Sequence, residues 1–337
     1  MIPYHNRRTT RSGKRTRPGL CLIALLLSAC TVPSVPPTAR RPELPPVAGR
    51  QLQGALVDVQ TRQGIAFEAL VQAVMQANVV AVGEEHYHPD IQAFALRLFQ
   101  ALAQRRPQRL ALAMEFLERD GQQAVDAYLT GTVDQAIFQE RLGASAAFMR
   151  YYFPLVQYAR QSGLPVLAMN IPRRTARQVA REGLEKTLQQ LDSHDRTYLP
   201  AALSAVSPPY RAYFLDAVAA SHEVTGEQAE RFVEAAHLKD ETMADSLARF
   251  LDDHQDYTVL AIAGRFHFDY GKAIPALLHQ RRPQVSIRRI TAMAVEADST
   301  IDLERLAREE IADYLWFVPP PPKEHNRDRP QLAARHW

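Results

Sequence analysis

The feature that most constrains this fold is a short apolar run followed by a polar turn and an amphipathic helix. Residues 79–82 read Val-Val-Ala-Val, which is long enough for a buried strand and too short for a helix. Gly83 ends the run, and Glu84, Glu85 and His86 follow it directly. Downstream, apolar residues recur at helical spacing, at positions 91, 94, 95, 98, 99 and 102. The polar cluster therefore lies on a strand-to-helix turn, at the carboxyl end of a buried strand, where open α/β sheets form their sites.

Further apolar runs predict five more buried strands, separated by helical segments. These runs do not alternate between polar and apolar residues, which is typical of strands covered on both faces. The fold class is therefore α/β, with a mostly parallel central sheet, helices on both faces and a large inserted helical cap. The additional strands are predicted at residues 109–115, 165–169, 258–263, 285–290 and 314–318.

Polar side chains recur where the predicted strands end. The first strand is followed by Gly83 and His86 and the fourth by Gly264 and His267, so both turns have the pattern Gly-x-x-His. The second strand ends in Glu115. Because the carboxyl ends of parallel strands lie along one edge of the sheet, we expect both histidines and this glutamate to lie together.

Each of these polar residues also has a purely structural interpretation. Glu84 or Glu85 can simply favour the start of the following helix. His86 and His267 can each be a hydrogen-bonded structural histidine. His88 is expected to start the helix and to face water.

Two further groups of residues stand out beyond the histidine turns. Tyr151 and Tyr152 begin an amphipathic helix, so at least one of them is expected in the core. Arg173 follows the third strand, where a guanidinium suits a carboxylate or phosphate but can also be a plain surface charge.

The first 29 residues predict a secretory signal. Residues 1–17 contain six Lys and Arg and no acidic residue, and residues 20–27 form an apolar stretch too short to span a bilayer. The segment ends in Leu-Ser-Ala-Cys at 27–30, which resembles a bacterial lipobox and implies cleavage before Cys30 and acylation of that cysteine. An ordinary signal peptide with an incidental cysteine is the alternative. The residue after this cysteine is Thr31 rather than an aspartate, and in this the chain resembles lipoproteins that are sorted to the outer membrane.

Composition separates the folded domain from its flanks. Six prolines in residues 31–50 predict an extended tether, and the Pro-rich, charged residues 320–337 predict a disordered tail. The whole chain has a net charge of +3, but the signal carries six basic residues, so the remainder is net −3 and gives no indication of nucleic-acid binding. The predicted division is signal 1–29, tether 30–60, folded domain 61–319 with helical insertions at about 119–163 and 174–253, and tail 320–337.

An ordered series of short motifs extends through the predicted domain. It comprises Gly-Glu-Glu-His-Tyr-His-Pro-Asp-Ile-Gln at 83–92, Met-Glu-Phe at 114–116, Tyr-Leu-Thr-Gly at 128–131, Asn-Ile-Pro-Arg at 170–173, Lys-Asp-Glu-Thr-Met-Ala at 239–244, Gly-Arg-Phe-His-Phe-Asp-Tyr-Gly at 264–271 and Ala-Asp-Tyr-Leu-Trp-Phe at 312–317. The series resembles the ChaN-like haem-binding lipoproteins. These belong to a superfamily with the Tiki proteins and the erythromycin-esterase-like enzymes.

The resemblance implies a lipid-anchored protein of bacterial haem and iron uptake. It implies that haem binds at the carboxyl ends of the strands, at the interface of a homodimer, with a tyrosine on the iron. Phenolate is an established ligand of haem iron. Residues 152–160 resemble part of the family's third block, and by position there Tyr152 is the expected iron ligand with Tyr151 as the alternative. His86, His267 and Arg173 are the other expected haem contacts. The expected partners are haem, a second copy, the membrane through Cys30, and an outer-membrane haem receptor.

The resemblance also leaves an enzymatic alternative open. Two histidines and a carboxylate can hold a divalent metal such as Zn or Mn with an open position for water, or a Glu–His pair can act as a general base. The alternative function is therefore a metal-dependent hydrolase or esterase of the Tiki or erythromycin-esterase type. Its candidate catalytic residues are Glu84, Glu85, His86, Glu115 and His267.

Overall fold

The computed structural model describes residues 46–219 and 226–321 of the chain. The predicted signal, Cys30 and nearly all of the predicted tail lie outside the described residues. Among the helices in the described part, none combines the length and the apolar character needed to cross a membrane.

A central sheet of eight strands organises the domain. Its strand order is β3-β2-β10-β8-β4-β7-β5-β6, with all neighbouring pairs from β10 to β6 parallel and the pairs that involve β2 and β3 antiparallel. β1 and β9 form a separate antiparallel pair. The strands are β1 (Val47–Ala48), β2 (Leu56–Asp58), β3 (Gln63–Gly64), β4 (Val79–Glu84), β5 (Leu110–Glu118), β6 (Val166–Asn170), β7 (Thr258–Gly264), β8 (Ile287–Ala294), β9 (Thr300–Ile301) and β10 (Tyr314–Val318).

The six predicted strands correspond to the six parallel strands, and the predicted α/β class is confirmed. The predicted tether is wrong at its C-terminal end. Leu56–Asp58 pairs with Tyr314–Trp316 in the central sheet, so the folded domain begins before residue 61. Val57 faces the core, and its burial gives this short segment a reason to order.

Helices connect the strands and form the outer layers. Short 3₁₀ helices follow β5 and β7, at Arg119–Gly121, Arg265–His267 and Asp269–Gly271. The α-helices are α1 (Gly49–Leu52), α2 (Phe67–Val74), α3 (Pro89–Arg105), α4 (Gln122–Leu129), α5 (Gln135–Leu142), α6 (Ala146–Tyr151), α7 (Phe153–Ser162), α8 (Arg173–Glu182), α9 (Leu184–Gln190), α10 (Ser193–Arg196), α11 (Pro208–Ala219), α12 (Gly226–Asp253), α13 (Ile274–Arg281) and α14 (Leu303–Arg308).

The central strands are buried on both faces, which explains why their sequences do not alternate. In β4, Val80 and Val82 pack into the core on the side of α3 and α7. Val79 and Ala81 point the other way, into the core formed with α12 and α13. Successive side chains of a strand point to opposite faces, so a strand between two cores is apolar throughout.

Two helical insertions separate the parallel strands in sequence. α4 to α7 lie between β5 and β6, and α8 to α12 lie between β6 and β7, close to the predicted insertions. The long α12 is unusual because it buries polar side chains among apolar ones, including His237, Asp240, Glu241 and Asp245. Buried charges require partners, and Asp240 has them in His267 and Tyr210.

Candidate functional site

The two Gly-x-x-His turns are neighbours in the structure, as the sequence predicted. β4 and β7 are adjacent and parallel, with Glu84 in register with Gly264. A Cβ on Gly83 would lie 2.9 Å from the Cα of Arg265, and a Cβ on Gly264 would lie 2.8 Å from Cε1 of His86. Each glycine therefore allows one turn to pack directly on the other.

Glu84 is the centre of the first turn. It is buried at the end of β4, and its Oε1 lies 2.6 Å from Nδ1 of His86. The same oxygen accepts a hydrogen bond of 2.8 Å from the Tyr152 hydroxyl, and Oε2 accepts one from the Gln92 side chain. Three donors therefore hold this one buried carboxylate in place.

His86 is the more exposed histidine, with about a third of its side chain (32%) accessible. Burial alone would lower the pKa of His86, but the hydrogen bond and charge of Glu84, together with the charge of Glu115, raise it above its ordinary value. The charged imidazolium form of His86 is therefore favoured more than it is in a free histidine.

A buried ionic network supports the second turn. Oε1 of Glu115 lies 3.2 Å from both Nε2 of His267 and Nζ of Lys239, while Oε2 accepts a hydrogen bond from the Gly264 amide. Nδ1 of His267 donates to Asp240 at 2.5 Å, and Asp240 also accepts from the Tyr210 hydroxyl. Both nitrogens of His267 are thus held by carboxylates.

The ionisation states of this network follow from its geometry. Burial alone would lower the pKa of His267, but Glu115 and Asp240 raise it to about 9. Burial alone would raise the pKa of Glu115, but His267 and Lys239 hold it well below its ordinary value. At neutral pH the ionised Glu115 carboxylate therefore lies between the His267 imidazolium and the Lys239 side chain.

A cavity of about 360 Å³ opens beside these turns. Tyr87, Phe116 and Phe148 supply aromatic wall, while Arg141 and Arg173 line it with guanidinium groups. Its volume lies within the ~300–1,000 Å³ typical of small-molecule sites. The cavity combines flat apolar surface with cations that can hold carboxylates, and two acidic side chains also line it.

A family model for haem-binding uptake proteins, described as Tiki superfamily, ChaN, matches residues 70–278. The chain belongs to this family. The match includes both Gly-x-x-His turns, the Glu115 network and the cavity.

Two solved structures and one curated protein are similar to this chain. A ChaN of Campylobacter jejuni, solved with cofacial haem, aligns with a TM-score of 0.60 at 20% identity, over 77% of this chain and 95% of that one. An erythromycin esterase in an open conformation aligns with a TM-score of 0.47 at 14% identity, over 83% and 98%. Among curated proteins, the chloroplastic RETICULATA-RELATED 5 of Arabidopsis thaliana is 23% identical over 78% of this chain. The chain spans only 37% of the length of that plant relative.

The two candidate tyrosines occupy different environments in this ChaN-family chain. Tyr152 lies at the junction of α6 and α7 and is entirely buried, and its ring stacks on Phe116 at 3.9 Å. Burial and the Glu84 charge raise the pKa of Tyr152 well above its ordinary value. Tyr151 ends α6, is partly exposed, and packs its ring 6.0 Å from that of Tyr87. Iron binding by either tyrosine stays a prediction.

Three other candidates are located as follows. Arg173 begins α8 at the cavity and pairs with Glu118 at 3.2 Å. Glu85 is partly buried and accepts a hydrogen bond from the Ala294 amide. His88 precedes α3 as predicted, but the expectation that it faces water is wrong: it is 1% exposed, and its Nε2 donates to the carbonyl of Pro319.

Sequence reasoning missed three residues of the hydrogen-bond network around the histidines, namely Asp240, Tyr210 and Gln92. Asp240 and Tyr210 lie in the helical cap, and Gln92 lies one turn into α3. Three consecutive charged residues at 239–241, which cannot all lie on the solvent face of a helix, were the available signal for Asp240.

The structure also bears on metal binding at this edge. Within residues 46–219 and 226–321, no group of three or more His, Cys, Asp or Glu side chains is arranged to hold a metal ion. His267 directs both ring nitrogens at carboxylates instead.

Proposed function

We propose that this protein binds haem in the cavity beside the two histidine turns, as a component of bacterial haem or iron uptake. The observation that carries the proposal is an aromatic cavity flanked by two arginines in a chain of the ChaN haem-binding family. A porphyrin is a flat apolar ring that bears two carboxylates, and these residue types match its two chemical parts.

Particular residues fit particular parts of haem. The rings of Tyr87, Phe116 and Phe148 would contact the porphyrin, and Arg141 and Arg173 would hold the propionates. When bound, the group supplies a ferric iron that accepts an anionic oxygen ligand. Tyr151 is our choice for that ligand because its ring lies at the aromatic wall, whereas the Tyr152 hydroxyl donates to Glu84 inside the core.

Absorption spectroscopy of purified protein titrated with haemin tests the proposal. We expect a saturable Soret shift for the wild type and loss of the ferric tyrosinate spectrum for Tyr151→Phe. Tyr257→Phe is a matched control, because Tyr257 precedes β7 at the opposite edge of the sheet. A wild-type protein whose haemin spectrum equals that of free haemin would refute haem binding.

We further propose that two copies assemble around haem and that the lipid on Cys30 anchors them to the outer membrane. The cofacial haem of the Campylobacter jejuni ChaN supports the first part, because two stacked haems need two sites. Light scattering with and without haemin tests the dimer, and a mass equal to one chain in both states would contradict it. Metabolic labelling with palmitate tests the anchor, since Cys30→Ala should lose the label. An outer-membrane haem receptor is the proposed transfer partner.

One observation favours a second candidate function, a hydrolase or esterase. The Glu84–His86 pair has the geometry of an oriented general base beside a cavity. Under this hypothesis a bound ester would be attacked with the help of Glu84, His86 and Glu115. Glu85 and His267 are the other candidate catalytic residues. Turnover of activated esters that disappears in His86→Gln, with or without added Zn or Mn, would support it. Equal background hydrolysis by both proteins would count against it.

A further inference from the structure

The hydrogen bonds of Tyr152 all point into the protein. Its hydroxyl donates to Oε1 of Glu84 at 2.8 Å and accepts from the Tyr87 amide at 3.2 Å. Tyr87 has a φ of 61°, a conformation that is uncommon for residues with a side chain, and the hydroxyl satisfies its amide there. Tyr152 therefore connects the turn after β4 to the carboxylate that ends β4.

Glu84 transmits this constraint to His86. The carboxylate oxygen that receives the Tyr152 hydroxyl is also the one that lies 2.6 Å from His86 Nδ1. Gln92 holds the other oxygen, so the carboxylate cannot rotate without breaking a hydrogen bond. A carboxylate fixed in this way accepts from Nδ1 and leaves the proton off Nε2 when the imidazole is neutral.

The Cε1–Nε2 edge of the His86 ring meets a space that only glycine provides. A Cβ on Gly264 would lie 2.8 Å from Cε1 and 3.3 Å from Nε2. Glu84 thus holds Nδ1 of the ring, and the absence of a side chain at Gly264 leaves room for Cε1 and Nε2.

We propose that Tyr152 and Gln92 are positioning residues, which hold Glu84 so that neutral His86 adopts the Nδ1–H tautomer beside the aromatic wall of the haem site. This inference deepens the proposed function and rests on it for the identity of the bound group. It gives Tyr152 a role in the site other than iron binding.

Nitrogen NMR of haem-free protein with labelled histidine tests the positioning without any ligand. Above the pKa of His86, we expect the wild-type ring to be mostly Nδ1–H, whereas free histidine favours Nε2–H. Tyr152→Phe keeps the stacked ring but removes the hydroxyl, and should lower the Nδ1–H to Nε2–H ratio about fivefold, the equivalent of about 1 kcal/mol for one hydrogen bond. Gln92→Leu should act in the same direction if Tyr152→Phe does not fold.

Tyr128→Phe is the matched control, since Tyr128 is buried in the same aromatic core against Phe138 and Phe153. It should leave the tautomer ratio of His86 unchanged. An unchanged ratio in both Tyr152→Phe and Gln92→Leu would overturn the proposal.

A double-mutant cycle then measures the effect on haemin binding. Tyr152→Phe should weaken haemin binding about fivefold with the ferric spectrum unchanged, and should have no further effect in a His86→Gln background. Fully additive effects, or a lost tyrosinate spectrum in Tyr152→Phe but not in Tyr151→Phe, would refute it. If the tautomer shifts as expected but the wild type binds no haemin, the positioning stands and the haem assignment fails.

Discussion

Replacing Gly264 with alanine should break the contact between the two histidine turns. The new Cβ would lie 2.8 Å from Cε1 of His86, which is closer than real Cβ contacts. Since the ring is held by Glu84 at 2.6 Å, it must leave that hydrogen bond to make room. Gly264 has a φ of −51°, so alanine itself is not strained there.

The size of the effect follows from two opposing contributions. Hydrogen bonds to charged groups contribute about 1.5–3 kcal/mol, and this is lost when His86 is displaced. Alanine in place of glycine stabilises by about 0.4–1 kcal/mol through the unfolded chain. We expect Gly264→Ala to lower the free energy of unfolding by about 1–2 kcal/mol.

Urea unfolding of the wild type, Gly264→Ala, His86→Ala and the double variant separates the clash from a general effect of the substitution. In a His86→Ala background the clash is absent, so Gly264→Ala should become neutral or slightly stabilising. Gly64→Ala is the control, because its nearest neighbour would be the Leu56 carbonyl at 3.7 Å. If Gly264→Ala costs the same free energy with and without the His86 ring, the reasoning is refuted.

Three further predictions concern ionisation and haem. The pKa of His267 is raised from 6.5 to about 9, so the stability that this histidine gives the fold is complete below pH 6.5 and is lost as pH rises through 9. The free energy of unfolding should therefore fall by up to about 3 kcal/mol across that window. A flat pH profile would contradict this. Asp240→Asn removes one of the two carboxylates that raise the pKa of His267, so NMR titration should find a lower pKa, and an unchanged value would show that Glu115 suffices. Arg141→Gln and Arg173→Gln should each weaken haemin binding about tenfold, since each removes one charged hydrogen bond. Arg305→Gln on exposed α14 is the control and should leave the affinity unchanged. Equal affinity in all three variants would contradict propionate binding.

Several features of the site could be predicted because they depend on local sequence and on one rule of sheet geometry. Apolar runs located the six parallel strands, and parallel pairing then required His86 and His267 to lie at one edge. The prediction did not require the strand order. That β4 and β7 are immediate neighbours makes the contact direct.

Other features could not be predicted, because tertiary packing determines them. Asp240 reaches His267, and Tyr210 reaches Asp240, only through the packing of the helical cap, which no local pattern specifies. The break between α6 and α7 falls at Tyr152 and turns that ring into the core, so two adjacent tyrosines have opposite surroundings. His88 is buried because the end of β10 provides a carbonyl for its ring.

The pairing of β2 with β10 has a consequence for how the domain folds. The register places Asp58 opposite Tyr314, so the sheet joins the first part of the described chain to the last. Contacts between such distant residues form slowly, because a long loop must close before they contribute. During synthesis from the N-terminus, this edge of the sheet stays open until the final strand is available, and an open edge can pair with another chain. A domain truncated before β10 should therefore aggregate rather than persist as a smaller folded unit.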